Sequence, residues 1–193
     1  MPQTKTFPID VELFNFLNQD LANPFFDVVL PVYREKTTWI PLYLLMVVLL
    51  WRKYGWQKTL WLLLAIGLTL TIADQLAASI LKPWIGRLRP CIEPELADQG
   101  RFLVGCGGKF SFPSNHATNH FALAAVLSLT WLKDQATGWR WAIFLWAASI
   151  SLAQVYVGKH YPGDIVAGAV LGSLVAVGVV YLYRRYLPEE QQL

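Results

Sequence analysis

Charge is what this 193-residue chain has least of: Asp, Glu, Lys and Arg make up 15% of it, against 55% hydrophobic residues. That balance excludes an ordinary soluble domain, and the length predicts a single one. A net charge of +3 is mild and implies no nucleic-acid partner. No internal repeat and no low-complexity tract interrupts the sequence. The first 29 residues lack the basic stretch and apolar core of a cleavable signal, because acids and amides run all through them. Histidine is confined to His116, His120 and His160, and cysteine to Cys91 and Cys106.

Apolar runs fill most of the rest. Four read as membrane spans by length and lack of charge, roughly residues 59–81, 119–132, 139–157 and 165–183. A fifth, residues 37–51, is shorter and is bracketed by Lys36 and Arg52. Asp74 and Gln154 interrupt two of the runs and are expected to face the bundle interior. Trp39, Trp51, Trp61, Trp84, Trp131 and Trp139 lie near run ends, where an interfacial belt belongs. Val11, Leu13, Phe14, Leu17 and Leu21 share one helical face, which suits a helix in the membrane interface or one packed on the bundle. The fold class expected is an all-α integral membrane protein: a bundle of about five to six transmembrane helices with an N-terminal interfacial amphipathic helix. Residues 1–36 form the interfacial segment and 37–193 the transmembrane part of one domain.

The loops 82–118 and 158–164 are separated by two spans and therefore open on one side. The opposite side carries Arg52, Lys53, Lys58, Lys133, Arg140, Arg184 and Arg185 close to span ends, which makes it cytoplasmic. Nine Lys and Arg fall on the first side, but six of them lie in the two loops and are read as anion ligands. Cys91 and Cys106, outside the cytoplasm, would close a fifteen-residue disulfide loop, with two unpaired thiols as the alternative.

The chemistry gathers in those loops. Ser114 in "FPSNHATNHFALAA" is a candidate N-cap, and the free N–H groups of the helix it starts make an anion site. His116 then projects from the first turn, placed to give up a proton. In "VGKHYPGDIVAG", Pro162 starts the next helix, and Asp164, four residues past His160, would fix the imidazole tautomer and raise its basicity. Lys82 and Arg89 would share a helical face, with Arg87 pointing away. A phosphate clamp, a nucleophile with its orienting acid and a proton donor are the parts phosphoryl transfer needs, and no metal or other cofactor is required. Zinc on His116, His120, His160 and Asp164 is the rival reading, opposed by the four cations nearby, Lys159 among them. Gly168 and Gly172 have the spacing of close helix packing. Asp74 is a candidate to orient Lys82 or Arg89.

These residues resemble the motifs of the type-2 phosphatidic acid phosphatase superfamily of membrane lipid phosphatases. Lys82 with Arg89-Pro90 matches the first motif, and Pro113-Ser114-Asn115-His116 matches the second with Asn in place of Gly. His160 and Asp164 match the third, but Ala153-Gln154 stands where the family has Ser-Arg. The resemblance implies an all-helical bundle in which His160 attacks phosphorus, Asp164 orients it and His116 protonates the leaving oxygen. Lys82, Arg89, Ser114 and the amide of Asn115 would hold the phosphate; Gln154 lines the clamp where the family has its arginine, and Lys159 or Arg87 would cover the missing charge. The expected function is metal-independent hydrolysis of a phospholipid phosphate or isoprenoid diphosphate at the outer face of the cytoplasmic membrane. Undecaprenyl diphosphate, phosphatidylglycerophosphate, phosphatidic acid and lipid A 1-phosphate are candidate substrates. A lipid phosphotransferase and a non-catalytic phospholipid-binding protein are the rivals.

Overall fold

Proline stands at the first or second position of five of the seven α-helices, where its missing N–H costs nothing. The computed structural model describes residues 7–193; residues 1–6 of the N-terminal segment lie outside the described residues. The helices are α1 (Pro8–Asn15), α2 (Pro24–Tyr33), α3 (Ile40–Gln75), α4 (Lys82–Ile85), α5 (Asn115–Leu129), α6 (Thr137–Tyr156) and α7 (Pro162–Tyr186). Among the described residues the only β pairing is an isolated bridge between Leu88 and Phe110.

α3 is broken at Gly55, whose φ of 80° and ψ of 169° leave the helical region. Its arms, residues 40–54 and 56–75, coincide with two of the runs read as spans. The helical stretch Lys36–Ile85 and the helix Pro162–Tyr186 are each long and apolar enough to cross a membrane. The predicted runs at 119–132 and 139–157 fold as α5 and α6 without meeting that measure. For α5 the reason is position. It is only 15 residues long, and Ala122, Ala124, Ala125, Val126 and Leu127 are all buried, so its apolar character serves helix packing. The partner it meets most closely is α7. A Cβ on Gly168 would come within 2.6 Å of the Ser114 carbonyl oxygen, so these backbones touch only because the residue is glycine.

The N-terminal segment packs across one end of the bundle. Phe14 is fully buried, its ring 5.7 Å from that of Tyr161, and Val11 and Leu17 join the same cluster. Leu13 and Leu21, expected on the same face, are exposed. Leu13 stands at the edge of that wide face, about 100° round α1 from the buried Phe14, and Leu21 follows a π turn at Phe16–Asp20 that changes the helical period. α2 follows against α6. Cys91 and Cys106 are joined as a disulfide with Cα atoms 6.1 Å apart, tying the loop that leads from α4 towards α5. At the opposite end, Arg184 donates to the Leu129 carbonyl, Lys58 to that of Gln192 (3.0 Å) and Arg140 to Ser128 Oγ (3.1 Å). The cations of that end thus cap helix termini and the C-terminal tail.

Candidate active site

α4 ends at Ile85 because Gly86 turns left-handed (φ 68°), so Lys82 and Arg89 do not share a helix. They converge by another route. The Leu88–Phe110 bridge lays the chain beside residues 109–111, with Arg89 N–H donating to the Lys109 carbonyl and Ser111 N–H to that of Arg87. Lys82 Nζ donates to the Pro113 carbonyl at 2.7 Å and the Ser111 carbonyl at 3.0 Å. It therefore ties α4 to the segment that enters α5. Ser114 caps α5 through its side chain, as the sequence suggests, and its own N–H bonds to the Asp164 carbonyl at 3.0 Å.

His160 and Asp164 enter from the turn between α6 and α7. Gly158, at φ 86°, makes that turn possible; a side chain there would also strike the Arg101 carbonyl. Asp164, fully buried, is a hub. Its Oδ2 accepts from the Tyr161 N–H at 2.9 Å and from Ser111 Oγ, and lies 3.4 Å from His160 Nδ1. Its Oδ1 accepts from Arg87 Nη1 at 2.9 Å. With an acceptor facing Nδ1, that nitrogen carries the proton, and Nε2 presents a lone pair 3.4 Å from Arg89 Nη1. Burial pulls the His160 pKa down to about 4, against the opposing pull of Asp164, so the ring is neutral near pH 7. Burial also lowers the pKa of Arg89 and of Lys159; for Lys159 the positive charges of Arg34 and Arg89 act the same way.

One cavity of about 530 Å³ is lined by Lys82, Arg89, Asn115, His116, Lys159 and His160 together. Three of the sequence-predicted residues stand outside it. Asp164 lies behind His160. Ser114 is buried with its hydroxyl used as the helix cap. Gln154 is fully buried in α6, where its Oε1 accepts from Arg34 Nε at 3.1 Å. Asp74 does not orient Lys82 or Arg89 by hydrogen bonding; its Oδ1 accepts from the amides of Asn115 (2.8 Å) and Asn119 (2.9 Å). Among the described residues, no group of three or more His, Cys, Asp or Glu side chains could hold a metal ion.

Three participants escape sequence reasoning, and a fourth, Arg87, has another role than the one expected. Arg87 points away from the clamp, as expected, but it is no spare cation. It lies 3.9 Å over the Tyr161 ring, bridging Asp164 and Asp10, with Nη2 2.5 Å from the latter's Oδ2. Asp10 also accepts from the Gly163 N–H at 2.7 Å, so the N-terminal segment braces the start of α7. Ser111 sits between His160 and Asp164, and Arg34 covers Gln154. Ser111 stands beside the Pro113 motif and was within reach; Asp10 and Arg34 carry no spacing signal. Arg87→Ala leaves two carboxylates buried without their cation, a loss of about 3–5 kcal/mol. Thermal unfolding of the detergent-solubilised protein should show that drop, and Arg87→Lys a smaller one; an unchanged midpoint in Arg87→Ala refutes the bracing role.

A cavity rimmed with cations, holding an imidazole backed by a buried carboxylate, is built to act on a phosphate. The chain belongs to the PAP2 superfamily, whose family model matches residues 58–187. It is an integral membrane protein and a lipid phosphatase. It is 41% identical over 171 residues to the lipid A 4′-phosphatase of Bacteroides thetaiotaomicron, covering 86% of this chain and 72% of that one. Its fold is similar to the crystal structure of Aquifex aeolicus LpxE, with a TM-score of 0.70 and 23% identity over 93% of this chain and 99% of that one. The transmembrane PAP2 type phosphatidylglycerolphosphate phosphatase from Bacillus subtilis is similar too, with a TM-score of 0.66 and 22% identity over 94% of this chain and 87% of that one.

Proposed function

We propose that the chain hydrolyses a lipid phosphate through a phosphohistidine on His160 and that its substrate is a phosphorylated lipid of the lipid A kind. The mechanism rests chiefly on one observation: His160 Nδ1 lies against Ser111 and Asp164, while Nε2 faces the cation-lined cavity. Nε2 attacks phosphorus. Arg89, Lys82 and Lys159 balance the charge that spreads over the phosphoryl oxygens, and Asn115 joins them at the helix N-terminus. His116 gives a proton to the leaving oxygen, and the dephosphorylated lipid departs. Water then attacks the phosphohistidine, His116 takes the water's proton, and inorganic phosphate leaves. Arg34 supplies the guanidinium that Gln154 lacks, and Asp164 with Arg87 positions the nucleophile. The likeness to the Bacteroides enzyme favours lipid A phosphate over undecaprenyl diphosphate, phosphatidylglycerophosphate and phosphatidic acid.

In this reading the chain crosses the membrane five times, by the two arms of α3 and by α5, α6 and α7. The cavity opens on the periplasmic or outer face, with the end around Arg52, Lys58, Lys133 and Arg184 in the cytoplasm. Residues 7–36 lie along the outer interface as part of one domain with 37–193. Protein purified in detergent should release inorganic phosphate from this lipid panel, lipid A phosphate fastest, and excess EDTA should not change the rates. Release from none of the lipids, phosphate appearing on a second lipid instead of in solution, or loss with EDTA and recovery with zinc each overturns the reading.

A further inference from the structure

Asp74 is the only carboxylate in the apolar arm 56–75 of α3, and an acid in such a run is costly unless the fold gives it partners. Its partners are two amides of α5. Oδ1 accepts from the side chains of Asn115 and Asn119, which stand one turn apart on the face of α5 that meets α3. An ionised carboxylate can only accept, so both amides must turn their nitrogen towards it. The other end of the Asn115 amide is a carbonyl oxygen, which gives an anion nothing to bond.

Asn115 is also the residue that stands where the family motif has glycine, and it lines the phosphate cavity beside His116. At these two residues a second cavity, between α3 and α5, abuts the first. Asp74 lines the second cavity and not the first, whereas Lys82, Arg89 and Lys159 line the first and not the second. The carboxylate therefore draws the Asn115 amide to the side away from the cations. A glycine needs no such restraint, having no side chain to place. An asparagine does, because the first turn of α5 offers its free N–H groups to the phosphate, and an amide swung over them would fill the space the anion needs.

We propose that Asp74 is a positioning residue: it holds the Asn115 side chain clear of the phosphate cavity, so that the backbone N–H of Asn115 is the group that meets the anion. Asp74 acts through Asn115 and touches no reacting atom. The assignment rests on the reading of that cavity as a lipid phosphatase site, and it gives a reason why asparagine can replace glycine in the binding turn. An electrostatic role is the rival. Asp74 also attracts the Lys82 cation, and an effect carried by that charge would not depend on the Asn115 side chain.

Two readouts on detergent-solubilised protein make the test: binding of inorganic phosphate, followed by phosphorus NMR, and release of phosphate from lipid. Asp74→Ala should weaken phosphate binding and lower kcat/KM, each by about tenfold, the scale of one hydrogen bond to a charged group. Asp74→Asn keeps an acceptor oxygen in the same place and should stay within about threefold of wild type. Made on an Asn115→Gly background, Asp74→Ala should cause no more than about a twofold further loss, since no side chain is left to hold. Thermal unfolding shows which variants keep the bundle; if Asp74→Ala does not, Asp74→Asn decides alone. A tenfold loss in Asp74→Asn assigns the effect to charge and overturns the proposal. So does unchanged binding in Asp74→Ala, or a loss of the same size with and without the Asn115 side chain. The expected pattern in phosphate binding, with release from no lipid, keeps the positioning role and refutes the phosphatase reading instead.

Discussion

His160→Ala abolishes phosphate release, with a fall of about 10⁴ or more, the scale on which enzymes lose activity when a nucleophile is removed from a group acting as a unit. The expectation follows from the geometry: no other group in the cavity combines a neutral lone pair with a buried carboxylate behind it. Acid quenching of wild type with labelled substrate should trap an acid-labile phosphoprotein that His160→Ala does not form. The pH profile carries the same mark. Protonation would fill the attacking lone pair, and burial holds the His160 pKa at about 4, below its ordinary value near 6.5. The acidic limb of kcat/KM due to this residue should therefore lie near pH 4, with activity retained as pH falls through 6. A limb near 6.5, or turnover in His160→Ala, removes His160 from the role.

The second large effect is expected at Arg34, a residue the motifs do not contain. Its guanidinium is 3% exposed and donates to Gln154, the position where the family has arginine. Glu35 pairs with it at 2.6 Å but is itself 46% exposed, so the screening of that pair is partial. Losing a charged donor where transition-state charge develops costs about 10²–10³ in rate. Arg34→Gln should show that loss. Gln154→Arg added to it returns a guanidinium to the same neighbourhood and should bring the rate back to within about tenfold. Gln154→Arg alone buries two like charges side by side and should destabilise the protein. Full activity in Arg34→Gln, or a double variant no better than the single one, shows that Lys82, Arg89 and Lys159 suffice.

These residues also show where reading the sequence stops. His116, His160, Asp164, Lys82 and Arg89 were accessible because each sits in a short run of fixed spacing beside an apolar span. The contacts that finish the site have no such spacing. Arg34 meets Gln154 across 120 residues, and Asp10 meets Arg87 across 77. A charge in a mixed-composition segment reads as a solvated one until the fold closes over it. The helical face from Val11 to Leu21 was drawn too wide: Leu13 sits at its edge, and a π turn changes the period before Leu21. Hydropathy found where α5 runs, but it does not distinguish a helix among lipids from one among helices.

The second cavity, of about 480 Å³ between α3 and α5, meets the phosphate cavity at Asn115 and His116. On one side lie cations and turns open to water; on the other, the leucines of α3. A lipid held across that border would keep its chain among apolar side chains and its phosphate among cations. Its two products then leave by different doors: the anion outward to the aqueous phase, the shortened lipid sideways into the bilayer. Neither has to cross the medium that excludes it.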